Sequence, residues 1–419
     1  MEVFPMKRFL ALFLALFLLA GCSPASPGND SASGSADQSI VTPEPEPEPQ
    51  PPTVSHLMVA GDVMSHMPIT NDAYVTKTGE YDYTHMMAEP AEQLQHASYS
   101  VANLETVLNG GPKYSGFPAF NSPDGLAYSV SRTGFDLLST ANNHSRDRGV
   151  AGIYRTLDVL DEAGLAHVGT YRSQEERDQH SGVYLADVGG IKVAFLAYTY
   201  GLNGYQLKPE NMYAVNLFNT DYYTTLCNPD YEQMKSDLEA AKAMDPDVIA
   251  VVMHWGVEYQ NKPNDHQTNL ANFLVENGAD LVLGGHPHVL QPYDTITVTG
   301  EDGQERTGFV IYSLGNFLSN QQELETKTTA ILDLELTKDN NTGDTALTDI
   351  RYTPYYMLHN SDKKPAGQRR FLINTHEAMA EYESGDHSRI SSKVYEQLKL
   401  SLDHCHKILG EEGDKPSNG

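Results

Sequence analysis

The chain has 419 residues, of which 40% are hydrophobic and 9% aromatic, enough to fill two average domains or one large α/β domain and to exclude global disorder. Lys+Arg number 28 against 56 Asp+Glu, a formal charge of −28, and no basic cluster exceeds two residues, so nucleic acid is set aside as a partner. Three cysteines, Cys22, Cys227 and Cys405, are too few for a disulfide framework.

In chain order, Met6-Lys7-Arg8 is a positive start and Phe9–Ala20 a run of 12 apolar residues, too short to span a bilayer as a mature helix. Residues 1–21 therefore read as a secretory signal peptide. The following Leu19-Ala20-Gly21-Cys22 resembles the lipobox of bacterial lipoproteins, which makes Cys22 the expected lipidation site and the first mature residue. Stable anchoring needs more than one acyl chain, which lipoprotein maturation supplies. The expected location is extracytoplasmic, lipid-anchored to the bacterial cell membrane.

Residues 22–53 are rich in Pro, Ser and Glu and almost free of large apolar side chains, so they cannot build a core. They read as a disordered tether, its Pro43–Pro52 part in extended polyproline II of about 31 Å, at about 3.1 Å per residue.

From residue 54 to 340 short apolar runs alternate with amphipathic stretches, the pattern of an α/β domain. Leu57–Ala60 predicts a strand, Thr84–Ser98 a helix, Phe135–Thr140 a buried strand and Val150–Ala163 a helix. Val183–Val188 and Ile191–Tyr198 flank Gly189-Gly190 and predict a tight hairpin. Pro229–Met244 predicts a helix, Val248–Val252 a buried strand, His266–Asn277 a helix and Ala279–Leu283 a further buried strand. Pro292–Val298, Thr307–Ser313 and Thr329–Leu336 predict antiparallel strands. Residues 341–419 form a C-terminal extension, in which Ile390, Val394 and Leu398 mark one stripe of a terminal helix, capped by Asp386 or Ser388 and packed on the domain.

Polar residues able to bind metal recur where apolar runs end: Asp62, Glu105, Asn142-Asn143-His144, His254 and His286-Pro287-His288. In open α/β sheets ligands bind outside the carboxyl ends of strands, so five tips can meet at one crevice. Singly, each has a plainer account. Asp62 can bond turn amides, Glu105 can be a solvated strand end, Asn142 and Asn143 can be turn residues, and His144 and His254 can be satisfied histidines. His286 and His288 are the strongest pair, since an irregular loop after Gly284-Gly285 lets both imidazoles approach one site. Together, carboxylate, amide and imidazole suit manganese, iron or zinc. A carboxylate such as Glu105 can bridge two ions about 3.5–4 Å apart, which polarise a substrate oxygen and generate hydroxide at neutral pH. His404-Cys405-His406 falls on the terminal helix, where i and i+2 point apart, and makes no site.

Six ordered stretches, Gly61-Asp62-Val63-Met64, Asn103-Leu104-Glu105, Ala141-Asn142-Asn143-His144 with Asp147 and Gly149, His254-Trp255-Gly256-Val257-Glu258-Tyr259, Gly285-His286-Pro287-His288-Val289 with Gln291, and Tyr312-Ser313-Leu314-Gly315-Asn316-Phe317, resemble the capsule-synthesis protein family of CapA or poly-γ-glutamate type. That family's domain is similar to the calcineurin-like metallophosphatases. The resemblance implies an α/β fold, a metallophosphatase-like sandwich of two mixed β-sheets flanked by helices, with two divalent ions. Carried over by position, it makes Asp62 and His288 ligands of a first ion, Glu105 the bridge, and Asn143, His254 and His286 ligands of a second, with His144 as the acid that protonates the leaving group. One position departs: where the phosphatases place a histidine, this chain has Met64, and His66 lies two residues further on. The implied function is a metal-dependent hydrolase-like site, for phosphate esters or γ-glutamyl amides, acting on a capsule or envelope polymer. The alternative is a non-catalytic assembly or anchoring subunit of the polymer's synthesis complex.

Overall fold

The strand Val248–His254 shows how this sequence builds its interior. Val248, Ala250 and Val252 enter one apolar cluster while Ile249, Val251 and Met253 enter another, as a period of two requires of a strand covered on both faces. The computed structural model describes residues 49–300, 303–360 and 369–415 and the backbone of Phe4–Met6. Residues 7–48 lie outside it, and with them most of the expected signal peptide, the expected lipidation site Cys22 and most of the expected tether.

The strands, in chain order, are β1 Thr53–Val63, β2 Tyr99–Leu104, β3 Leu137–Ser139, β4 Ala166–Val168, β5 Tyr184–Val188, β6 Ile191–Thr199 and β7 Val248–His254. They continue with β8 Leu281–Gly285, β9 Leu290–Thr299, β10 Glu305–Leu314, β11 Asn316–Leu318, β12 Thr328–Lys338, β13 Thr345–His359 and β14 Arg370–Asn374. One mixed sheet runs β13-β12-β1-β2-β3-β4, with β11 also beside β1 and β14 beside β13. The other runs β9-β10-β8-β7-β6-β5. Within them β1, β2, β3 and β4 are parallel, and so are β6, β7, β8 and β10.

Leu57, Val59, Val101 and Leu137 of the first sheet share one buried cluster with Val193, Phe195, Leu281, Leu283 and Ile311 of the second, so the two sheets meet face to face. The alternate residues, Met58, Ala60, Ala102 and Leu104, pack under helices α1 Met67–Ala73, α2 Ala88–Leu94, α3 Gly125–Thr133 and α4 Gly149–Glu162. Helices α5 Tyr231–Ala243 and α6 Asp265–Glu276 cover the outer face of the second sheet through Met234, Leu238, Leu270 and Leu274. Each of these two helices starts where its sequence provides a cap: the Asp230 carboxylate accepts from the amide of Gln233, and Asn264 and Gln267 form a reciprocal capping box.

The hairpin at Gly189-Gly190 is present, both glycines at positive φ (58° and 94°), as a turn that matches strand twist requires. Two expectations differ. The stretch Thr84–Ser98 is a 3-10 turn at Thr84–Met86 followed by a helix of Ala88–Leu94 only. Pro90 explains this, since proline is tolerated in a first helical turn and breaks an interior one. The three late strands are antiparallel as expected, β9 with β10 in the second sheet and β12 with β1 and β13 in the first. The terminal helix, Ser392–Leu409, is capped by Ser391, and Ile390 sits just outside it in the cluster with Val394 and Leu398. Cys405 and Leu409 of that helix enter the cluster between the sheets. Cys227 is exposed, Cys405 is buried, and neither is bonded to the other.

Candidate metal centre

The parallel strands of both sheets end at the same edge, and their tips carry the chemistry. Asp62 is the penultimate residue of β1, Glu105 follows β2, Asn142 to His144 follow β3, His254 ends β7, and His286 follows β8. Asp62, Glu105, Asn143, His144, His254, His286 and His288 are each no more than 4% exposed. The approach of two strand ends explains nearby glycines. A Cβ at Gly61 would lie 2.0 Å from the carbonyl oxygen of Gly315, and one at Gly285 would lie 2.8 Å from Asp62 Oδ1.

Two groups of three ligand-capable side chains share Glu105: Glu105, His254 and His286 on one side, and Asp62, Glu105 and His288 on the other. Within each, the ligand atoms lie within 4.8 Å of one another. His254 Nε2 is 3.6 Å from Glu105 Oε1 and 3.0 Å from Asn143 Oδ1. His288 Nδ1 is 3.4 Å from Asp62 Oδ2, and its Nε2 is 3.9 Å from Glu105 Oε1. Both carboxylate oxygens of Glu105, together with Nδ1 of His286 and of His288, are buried without a hydrogen-bond partner. Buried polar atoms are nearly always partnered, and leaving one unpaired costs about 1–3 kcal/mol. Four such atoms, distributed over two ligand groups that share Glu105, are what divalent cations satisfy, and the donor types suit manganese, iron or zinc.

The backbone is held against its preferences here. His286 has φ 95° and His288 φ 59°, a conformation worth about 1–3 kcal/mol of strain in a non-glycine residue. The His286 amide donates to Asp62 Oδ2 (3.2 Å), which fixes the loop to β1. Burial and the neighbouring His254, His288 and His144 push the His286 imidazole well below its ordinary range, so it stays neutral and able to donate a lone pair. Burial alone would lower His288 too, yet Glu105 and Asp62 beside it raise it to about 9. Asp62 is lowered despite its burial, because His288, His254 and the Asn103 amide stabilise its charge.

His144 stands beside the ligands. Its Nδ1 is 2.7 Å from Asp147 Oδ2, and that oxygen also accepts from the Phe120 amide at 2.6 Å. The edge of the Phe120 ring meets His144 at 4.7 Å and His66 at 5.2 Å. His66 belongs to none of the ligand groups found among the described residues; the Asn320 amide donates to its Nδ1 at 3.4 Å, and burial lowers it to about 4. Met64 is buried.

Four residues that matter here carried no role in the sequence reading. Asn103 Nδ2 donates to Asp62 Oδ1 (2.8 Å), and Asn142 Nδ2 in turn donates to Asn103 Oδ1 (3.2 Å). Tyr200 lies parallel to the His254 ring at 6.3 Å and tilts on His286 at 4.7 Å. Asn203 Oδ1 accepts from Asn143 Nδ2 at 3.2 Å. Tyr200 and Asn203 follow β6, a sixth strand tip whose aromatic end concealed it. Asp147 stood in a quoted motif, but only its position three residues past His144, on a tight turn, gives it a task.

A family model described as bacterial capsule synthesis protein PGA_cap matches residues 56–321. The capsule biosynthesis protein CapA of Bacillus anthracis is 31% identical over 287 residues, 67% of this chain and 61% of that protein. The PGA biosynthesis protein CapA of Bacillus subtilis (strain 168) is 32% identical over 217 residues, 52% of this chain and 50% of its own length. The chain thus spans about half to three fifths of the curated relatives it matches. Among solved structures, a calcineurin-like phosphoesterase YfkN from Bacillus subtilis is similar with 13% identity and a TM-score of 0.38, covering 84% of this chain and 100% of that one. A phosphatase from Mycoplasma pneumoniae has 12% identity and a TM-score of 0.39, with 72% and 94% covered. Likenesses of that size say nothing about the chemistry of the centre.

Proposed function

The chain belongs to the bacterial capsule synthesis protein family PGA_cap, and from that premise we propose that it is an extracytoplasmic lipoprotein, anchored through Cys22, with a metal-dependent hydrolase site acting on a capsule or envelope polymer of poly-γ-glutamate type. The observation that carries this reading is the sharing of the unpartnered Glu105 carboxylate between two buried groups of ligands. Asp62 and His288 would hold one divalent ion, and His254, His286 and Asn143 the other. Ions of this class polarise a substrate oxygen and supply a nucleophile at neutral pH.

The chain's own side chains do the rest. Asn103 and the His286 amide orient Asp62. Tyr200 covers the His254 and His286 rings and excludes water from that side. Asp147 pairs with His144 Nδ1 and would stabilise the imidazolium form, whose Nε2 proton could then pass to the leaving group. The partner is the polymer or its synthesis complex, met at a membrane through the N-terminal lipid.

The test is hydrolysis by the purified chain of a panel of phosphate esters and γ-glutamyl peptides, with metal content measured by elemental analysis. Two ions per chain and turnover of either class support the reading. Met64 in place of a ligand favours a second reading, a non-catalytic assembly or anchoring subunit. A chain that restores polymer export while binding no metal would support that one instead.

A further inference from the structure

We propose that Glu258 is a metal ligand, the carboxylate that reaches the centre beside His286 and His288 where Met64 offers none. The inference rests on the two-ion reading above and adds a residue to it. Besides the two groups that share Glu105, a third group is formed by Glu258, His286 and His288, whose ligand atoms also lie within 4.8 Å of one another. Glu258 is less buried than His286 and His288. With only Asp62, Glu105 and His288, an ion would have three protein ligands, and a further carboxylate within reach of His288 is therefore chemically meaningful.

The loop that carries Glu258 is fixed in place. At its start, Trp255 is fully buried and its Nε1 donates to the Tyr312 carbonyl at 2.9 Å. Gly256 takes φ 87°, and a Cβ there would lie 2.8 Å from the Gln267 side chain. Tyr259, the residue after Glu258, is held at φ 63°, and its amide donates to the Pro287 carbonyl at 2.8 Å. Glu258 is thus tied, through its neighbour Tyr259, to the loop between His286 and His288. Behind it, buried Gln267 donates to Gln291 Oε1 (2.8 Å), and Gln291 donates to the carbonyls of Gln260 (2.7 Å) and Lys262 (3.1 Å). A buried amide relay and a strained tyrosine are more than a surface carboxylate requires. They hold Glu258 at the mouth of the centre, and they give Gln291 a task that its distance from the ligands conceals.

The competing account is that Glu258 only accepts from the Tyr259 hydroxyl at the rim. A cobalt titration separates the two. The purified full chain, stripped with a chelator, is titrated with Co²⁺ alone while its visible d–d bands are recorded, for wild type, Glu258→Gln and Glu258→Asp. Wild type is expected to take two equivalents. Glu258→Gln is expected to keep one at wild-type affinity and to bind the other about tenfold or more weakly, the scale at which even partners outside the first coordination shell act. The spectrum of that weakened equivalent should change, because it has lost a ligand, and Glu258→Asp should bind it more tightly than Glu258→Gln. Two equivalents in Glu258→Gln with wild-type affinity and spectrum, or no difference between Gln and Asp, would overturn the role of Glu258 and leave the two-ion reading standing. Fewer than two equivalents in wild type would overturn that reading, and this inference with it.

Discussion

The pair His144 and Asp147 and the pair His376 and Asp414 are both closed at 2.7 Å, yet they lie in opposite surroundings. The first is enclosed, with the His144 side chain 6% exposed and that of Asp147 0%. The His376 side chain is 49% exposed, and its aspartate is shared with a second histidine, since His406 Nε2 also lies 2.7 Å from Asp414 Oδ2. Around Asp414 the Nε2 atoms of two imidazoles are turned onto one carboxylate, so the group is closed on itself. Around His144 the carboxylate takes only Nδ1 and a backbone amide, Asn203 Nδ2 lies 3.5 Å from Nε2, and the centre beside the ring holds four unpartnered atoms. Identical residue types at identical distance therefore differ in what is left over. Unpaired donor and acceptor capacity in a dry place marks a site, and mutual saturation at the surface marks a clamp.

The widest separation expected between the two pairs is in turnover. A general acid contributes typically 10²–10⁴-fold to rate, so His144→Ala should lower hydrolysis by that order with metal content unchanged, while His376→Ala leaves both alone. Asn143→Ala should lose metal as well as rate, because its Oδ1 lies 3.0 Å from His254 Nε2, where the proposed second ion would bind. If His144→Ala strips the metal, its part is that of a ligand; if it alters neither rate nor metal, the assembly reading gains.

A smaller effect is expected in metal affinity. His286→Ala or His288→Ala should weaken binding by at least about 100-fold, the upper end of what residues outside the first coordination shell cause. Both sit on a strained loop outside the apolar clusters, so the far-ultraviolet circular dichroism of the variants should match wild type. Equal metal content by elemental analysis in wild type and both variants would remove the pair from the ligand set. His376→Ala serves again as the control that keeps its metal.

What could be read from the sequence follows the same division. Strands covered on both faces, such as β7 and β8, announce themselves as β-branched runs, and the polar residue that ends each run is conspicuous because it interrupts an apolar rule. That is why Asp62, Glu105, Asn143, His144, His254, His286 and His288 were all visible as candidates. Asn103 was hidden because it lies inside a strand and bonds sideways to Asp62, a contact between β1 and β2 that no local pattern encodes. Tyr200 was hidden because an aromatic at the end of an apolar run looks like more of the run. The crossing of β12 into the first sheet was illegible for a different reason, since period two gives the faces of a strand but not its neighbours. The cap of the terminal helix fell three residues from Ser388, within a cluster of polar residues where several side chains qualify equally.

The smallest expected effect belongs to the clamp, and its sign can be worked out. The hydrogen bond to Asp414 raises the His376 pKa above 6.5, although partial burial opposes it. A histidine raised on folding stabilises the folded chain fully below its unfolded value and loses that contribution as pH rises through the folded one. Asp414 is lowered below 3.8 despite burial, because His376 and His406 favour its charge, so its contribution is present above the unfolded value and fades as pH falls through the folded one. The clamp is therefore strongest between about pH 4 and 6.5, the interval bounded by the two ordinary values. Because His376 is half exposed, the pair is expected to contribute only about 0.2–1 kcal/mol. Urea unfolding of wild type and His376→Gln at pH 5.5 and at pH 8.5 measures it as a difference of differences, in which all other titrating groups cancel. The destabilisation by the variant should be larger at pH 5.5. An equal effect at both values would mean that the 2.7 Å contact stabilises nothing, and a larger effect at pH 8.5 would reverse the sign derived from His376.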